Sequence, residues 1–211
     1  MSGIVVAGDT SGSVTLSAPA VAGSSVLTLP VATDTLVGKA TTDTLTNKTL
    51  GSGLVAGASL LTSGTAVAST SGTSIDFTGI PSWVKRITVM FNGVSTNGTS
   101  NIQVQIGSGS VDTSGYNSIY GVGAGSTIAT SGFIVTYVTA AGYLRIGNIV
   151  LNLLSSNTWV ESGLLGDYSN VGAIVFSQGS KTTSGALDRV RITTVNGTDT
   201  FDAGSINILY E

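Results

Sequence analysis

Val84-Lys-Arg-Ile-Thr-Val-Met-Phe91 and Asn101-Ile-Gln-Val-Gln-Ile106 are the two stretches whose reading decides the fold. Apolar and polar residues alternate through much of both, the period of two that sends successive side chains to opposite faces of a β-strand. Working outward, Gly132–Thr139, Tyr143–Leu154, Thr158–Leu165, Gly172–Ser177, Asp188–Thr194 and Ser205–Tyr210 read as further strands. Asn92-Gly93, Asn97-Gly98, Ala141-Gly142, Gln178-Gly179 and Asn196-Gly197 supply turn signals. No window holds a helical period with caps, and only two Glu, Glu161 and Glu211, are present to fill exposed helix faces. The expectation is an all-β chain with an antiparallel, jelly-roll-like β-sandwich over residues 71–211.

The first 76 residues differ: all thirteen aromatic residues fall between Phe77 and Tyr210. The composition shift places a boundary near Gly64–Gly72, with Leu61–Gly72 reading as linker or loosely ordered strand. Before it, Ser13–Ser17 and Ser24–Leu29 read as short strands around an Ala18–Gly23 turn. Their apolar stripe is Val14, Leu16, Leu27 and Leu29. A nine-residue duplication follows, Ala32–Ala40 and Thr41–Thr49, matching at Leu36 and Leu45. Local drift in a Thr-rich stretch is the plain reading; alternatively, each copy offers one Leu to an axial core. These side chains are too small and sparse for a core of their own, and an isolated hairpin is marginal in water. Residues 1–70 are therefore expected to be extended or fibrous, serving attachment and oligomerisation.

Composition excludes much chemistry. With no Cys and no His in 211 residues, there is no disulfide framework, thiol nucleophile, thiolate zinc site or imidazole base. The formal net charge is −3, and the one adjacent basic pair, Lys85–Arg86, sits in an apolar run. Nothing here suits a phosphate backbone, so nucleic acid is not an expected partner. The start lacks a basic secretory signal, and no apolar stretch approaches the roughly 18 residues of a spanning helix. No membrane insertion is expected, and synthesis is expected in a cytoplasm.

The remaining constellations are modest. Gly8-Asp-Thr-Ser-Gly12 reads as a turn, since Ser11 has no imidazole partner. Asp76, Asp112, Glu161, Asp167, Asp188, Asp199 and Asp202 are the carboxylates from which a glycosidase pair could be drawn, though most sit beside turn residues. Asn196–Asp202 is rich in oxygen ligands, but lacks the alternating carboxylates of a calcium loop and reads as a hairpin connection. Gly121–Gly125 reads as a strand connection. No catalytic residue, metal or cofactor is assigned. The best binding candidates are Tyr116, Asn117, Tyr120 and Trp159, with Tyr116–Tyr120 in a polar, Gly-flanked stretch suited to exposed rings that stack on sugars. Trp83, after Pro81-Ser82, reads as core.

One segment carries a resemblance. Ser13-Val-Thr-Leu-Ser-Ala-Pro-Ala, Leu27-Thr-Leu-Pro-Val-Ala-Thr and above all Thr42-Asp-Thr-Leu-Thr-Asn-Lys-Thr-Leu50 resemble the N-terminal modules of bacteriophage tail fibres and related virion proteins. The ending, Leu187–Thr194 and Phe201–Tyr210, looks like terminal β-domains of phage structural proteins. The resemblance implies a homotrimeric, non-enzymatic appendage on a virion assembled in the host cytoplasm. Its N-terminal part would dock on a capsid, portal, adaptor or tail protein, and its β-rich head would bind a host-surface glycan or protein. Because the chain is short for a whole tail fibre, a head fibre or a capsid decoration protein is an open alternative, with a polysaccharide depolymerase as a third.

Overall fold

The computed structural model describes residues 3–7, 9–17, 21, 24, 61–137, 140–169 and 172–211. Contacts divide the chain into two units, Met1–Leu54 and Val55–Glu211. All the described regular structure is β, its strands pair antiparallel, and there is no helix among the described residues.

In the first unit β1 (Gly3–Ala7) pairs with β2 (Ser13–Ser17), Ile4 opposite Leu16 and Val6 opposite Val14. Of the strand expected at Ser24–Leu29, all but Ser24 lies outside the described residues. The strand expected at Ser13–Ser17 is present and pairs with β1. The run Ile4-Val5-Val6 supplies that partner, and the connection closes at Gly12 with φ 80°. Ile4, Val5 and Val6 are all exposed, whichever face they occupy. Leu27, Leu29, Leu36 and Leu45, with the duplication that holds the last two, lie outside the described residues.

The second unit has two sheets. The larger runs in the order β10 (Gly125–Ala129), β9 (Asn117–Val122), β14 (Ile174–Thr182), β13 (Thr158–Asp167), β12 (Arg145–Ser155), β6 (Arg86–Thr96), β16 (Phe201–Tyr210). Two short strands, β3 (Thr62–Ser63) and β4 (Val67–Ala68), pair with the free side of β16. Part of Leu61–Gly72, read as linker or loosely ordered strand, thus belongs to the sheet as strand. The smaller sheet runs β11 (Phe133–Ile134), β7 (Ile102–Ser108), β15 (Arg189–Thr194), β5 (Ser74–Thr78), with β8 (Ser110–Val111) folded back on β7. The chain crosses between sheets at β4–β5, β5–β6, β6–β7, β8–β9, β10–β11, β11–β12, β14–β15 and β15–β16, whereas β12, β13 and β14 form a meander within the larger one.

A single core joins both sheets in a sandwich-like arrangement. Ile87, Val89, Ile149 and Leu151 from the larger pack in one buried cluster with Val104, Ile106, Val190 and Ile192 from the smaller. These are alternate positions of the strands that the period of two picks out. The strand expected over Gly132–Thr139 is shorter among the described residues, where Phe133 and Ile134 pair with β7.

Two expected turns are not turns. Asn92-Gly93 lies inside β6, where Gly93 (φ 65°) faces Gly204 (φ 89°) of β16 and the register of that pair shifts. Bulges and tight turns both recruit glycine for positive φ, so the dipeptide alone does not separate them. Gln178-Gly179 lies inside β14, and there the glycine makes room. A Cβ on Gly179 would sit 2.5 Å from the Asn117 carbonyl oxygen and 2.9 Å from Phe133 Cδ1.

Candidate binding surface

Strand β9 inverts the reading that selected its aromatic rings. Its alternation sends Ser118 and Tyr120 inward and Asn117 and Ile119 outward. Tyr116, just before the strand, is 1 % exposed. Its hydroxyl accepts the Ile106 N–H at 2.8 Å and lies 2.9 Å from the Asp112 carbonyl oxygen. Its ring meets Phe133 edge-on at 5.0 Å, under Lys181 Nζ at 5.2 Å. Burial pushes the phenol's pKa well up. Tyr120 is buried against the Tyr137 ring at 5.9 Å, and Trp159 is 2 % exposed. The exposed-ring expectation therefore fails for Tyr116 and Tyr120, and Trp159 faces the core. Of the four candidates only Asn117 is exposed. Conversely Trp83, expected in the core, is 51 % exposed beside Tyr210, ring centroids 6.0 Å apart.

The candidate carboxylates hold structure together. Asp76 grips Arg191 through two bonds of 2.6 and 2.7 Å, and Asp188 grips Arg189 at 2.7 and 3.1 Å. Asp112 pairs with Lys181 at 3.2 Å, and Asp202 accepts the Ser95 hydroxyl. Asp199 accepts the Ser100 N–H at 2.9 Å and the Asn196 amide at 2.6 Å. Asn196 Oδ1 in turn accepts the N–H groups of Thr198 and Asp199, at 3.0 and 3.2 Å. The oxygens of this connection are thus spent on its own turn. Among the described residues no group of three or more His, Cys, Asp or Glu is placed to hold a metal ion.

Two inward carboxylates differ from the rest. Asp167 and Arg145 form a buried cross-strand pair, Oδ2 to Nη1 3.1 Å. The other oxygen of Asp167 accepts the Ser169 N–H and hydroxyl, and the Arg145 guanidinium lies 5.3 Å from the Tyr143 ring centroid. Burial lowers the Arg145 pKa, and the Asp167 charge opposes that shift. Among the described residues Glu161 has no cation partner. It is 1 % exposed, Oε2 accepts the Ser177 hydroxyl at 3.0 Å, and Oε1 is unpartnered, as is Ser118 Oγ. Burial pushes the Glu161 pKa up to about 8, against the bond from Ser177, so the group is held mainly neutral below that pH.

The outer face of the larger sheet is the feature that sequence reasoning missed. From β10 to β12 its outward positions hold Ile128, Ile119, Leu164, Val160, Ile174 and Ile146, all exposed, among hydroxyl and amide side chains. None of the outward residues of these five strands is charged. The register aligns Ile128, Ile119, Gln178, Ser162 and Val150 in one row across the strands. Two shallow concavities lie side by side here, of about 560 and 450 Å³, and share Ser162 and Gln178. The signal was available: Ile119, Val160 and Leu164 alternate with Tyr120, Glu161 and Leu165. A strand apolar on both faces has one face to spare.

The smaller sheet behaves otherwise. Gln103 and Gln105 are buried, their amides donating to the Thr194 and Ser131 carbonyls at 3.3 and 2.8 Å, and the Asp76–Arg191 pair is charged. Comparison with family models, with curated proteins and with solved structures finds no match to the chain.

Proposed function

We propose that the chain is a non-enzymatic structural subunit of a bacteriophage particle, a short tail or head fibre that docks by its N-terminal unit and carries a jelly-roll head for host-surface binding. One observation carries this reading. The β1–β2 hairpin leaves Ile4, Val5 and Val6 exposed, so a stripe of this chemistry needs walls from other chains. The resemblance of Gly8–Leu50 to phage attachment modules says which walls: a virion protein and further copies of the chain, three in the usual arrangement of such appendages.

Strand order supports the head. β5-β15-β7-β11 opposite β6-β12 and β9-β10 is the pattern of two interleaved Greek keys, with the β13–β14 hairpin inserted between β12 and β9 and with β16 added beside β6. The structural engagement of the carboxylates supports binding rather than glycoside cleavage as the task. A second reading, a decoration protein laid on shell subunits, is favoured by the broad uncharged face from β10 to β12.

Antibody labelling of intact particles tests both. Label at a discrete appendage supports the fibre, and label spread evenly over the shell supports decoration. Particles that carry none of the chain overturn the proposal.

A further inference from the structure

Trp83 is the side chain whose placement packing leaves unexplained. Its ring is 51 % exposed beside the half-buried Tyr210, the two ring planes opening at 49°. Tyr210 also lines a cleft of about 280 Å³. The cleft lies where the two sheets end on one side of the sandwich, β5 closing the smaller sheet and β3 and β4 lying beyond β16 in the larger. Phe77 and Ile208 give it buried apolar walls, and Thr65, Asp76 and Thr78 are exposed around it. Arg191 fixes Asp76 through bonds of 2.6 and 2.7 Å. An ionised carboxylate accepts at about four positions, so Asp76 keeps acceptor capacity for a ligand hydroxyl.

We infer that this cleft binds a neutral glycan, one pyranose ring between Asp76 and Tyr210 and the next against Trp83. Three properties of the lining select that ligand. The apolar walls and the two aromatic rings ask for a flat C–H face, while the exposed carboxylate and threonine hydroxyls ask for a polar edge. Charge is disfavoured in either sign. Asp76 and a formal net charge of −3 repel phosphate, sulfate and carboxylate, and Arg191 already neutralises Asp76, so a cation gains little. The space is just under the roughly 300 Å³ at which clefts for drug-sized ligands begin, so it admits one ring and excludes a helix. A pyranose is uncharged, carries hydroxyls around its edge and has C–H bonds across a face. It meets all three conditions.

The inference rests on the host-surface part of the proposal above and deepens it by naming the ligand class and the site. The test uses the full chain with maltose, cellobiose, lactose and N,N′-diacetylchitobiose as probes, and with inorganic phosphate and a Gly-Ser peptide as comparisons. Saturation-transfer NMR gives the affinities. Iodide quenching of fluorescence reads Trp83, because the only other tryptophan, Trp159, is buried. The expected result is millimolar binding of at least one disaccharide, weak per site as suits repeated copies, with Trp83 protected from iodide. Trp83→Ala and Thr78→Arg are each expected to weaken that binding at least about tenfold while leaving the urea midpoint unchanged. Thr78 is an exposed residue, so its variant keeps the test decisive should Trp83→Ala fold poorly. Binding that survives both variants overturns the inference, since the sugar then sits elsewhere. So does binding of phosphate or peptide with no response to any disaccharide, and so does no binding at all. Those results leave the particle reading standing, which fails separately, on particles that carry none of the chain.

Discussion

Glu161 is the residue with the most at stake. Its carboxyl is fully buried, bonded once to Ser177 and unpartnered at Oε1. Its pKa rises from 4.5 to about 8 on folding. The sign follows from linkage: a raised carboxyl binds its proton more tightly in the folded chain. Its favourable neutral form is fully retained below about pH 4.5, and stability declines from there up to about pH 8. The slope is about 1.4 kcal/mol per pH unit at most. The chain has no His, so the usual titration in that window is absent and the decline is attributable. Urea unfolding at pH 5 and pH 8 is expected to show the wild type losing a few kcal/mol across the interval and Glu161→Gln losing little. Equal losses in the two proteins would remove Glu161 as the cause. Single residues were also the least legible scale in the sequence. Tyr116 and Trp83 exchange the places expected of them, because neighbouring polarity does not report facing. The pairing of β9 with β14 decides where Tyr120 points, and the pairing is not local.

Elements were more legible, and the reason is periodicity. Val84–Phe91, Asn101–Ile106, Tyr143–Leu154 and Thr158–Leu165 emerge as β6, β7, β12 and β13 within a few residues, since alternation is a property of the strand itself. Asn117–Val122 escaped because it puts Ser inside and Ile outside. Glycines marked punctuation without saying which kind. Gly142 and Gly197 sit at positive φ outside the strands, as turn signals should, whereas Gly179 is an interior strand position kept small by its neighbours. That difference is measurable. Gly179→Ala places a methyl against the Asn117 carbonyl and the Phe133 ring, and is expected to cost about 1–3 kcal/mol through displacement of β9 or β11. Gly166→Ala on β13 meets only Ile146, at 3.8 and 3.9 Å, which is ordinary contact. It is expected to be neutral or stabilising by up to about 1 kcal/mol, since alanine restricts the unfolded chain. Thermal or urea unfolding of the pair checks this, and equal effects at the two sites would show that close approach does not explain Gly179.

At the scale of the whole molecule, composition divided the chain in two but could not place the seam, because a change in aromatic content is not a change in pairing. Thr62–Ser63 and Val67–Ala68 are aromatic-free like everything before them, yet they close the free side of β16. Gly64 N–H donates to the Ile208 carbonyl at 2.8 Å and Ser69 N–H to the Gly204 carbonyl at 2.9 Å. The buried Ser69 hydroxyl donates to the Ala203 carbonyl at 2.7 Å. A cut at residue 71, where the composition shift points, severs all three. The Asn207 amide bond to the Gly64 carbonyl, 3.1 Å, and the pairing of β3 and β4 with β16 go with them, so at roughly 1 kcal/mol net for each hydrogen bond the piece 71–211 is expected to be at least about 3 kcal/mol less stable than the piece 61–211. It is also expected to aggregate more readily, because β16 becomes an open edge. Denaturant unfolding and light scattering of the two pieces measure both effects. Matching midpoints and matching scattering would mean that β3 and β4 are accessories to a sheet that ends at β16, and the seam would then belong where the aromatic residues begin.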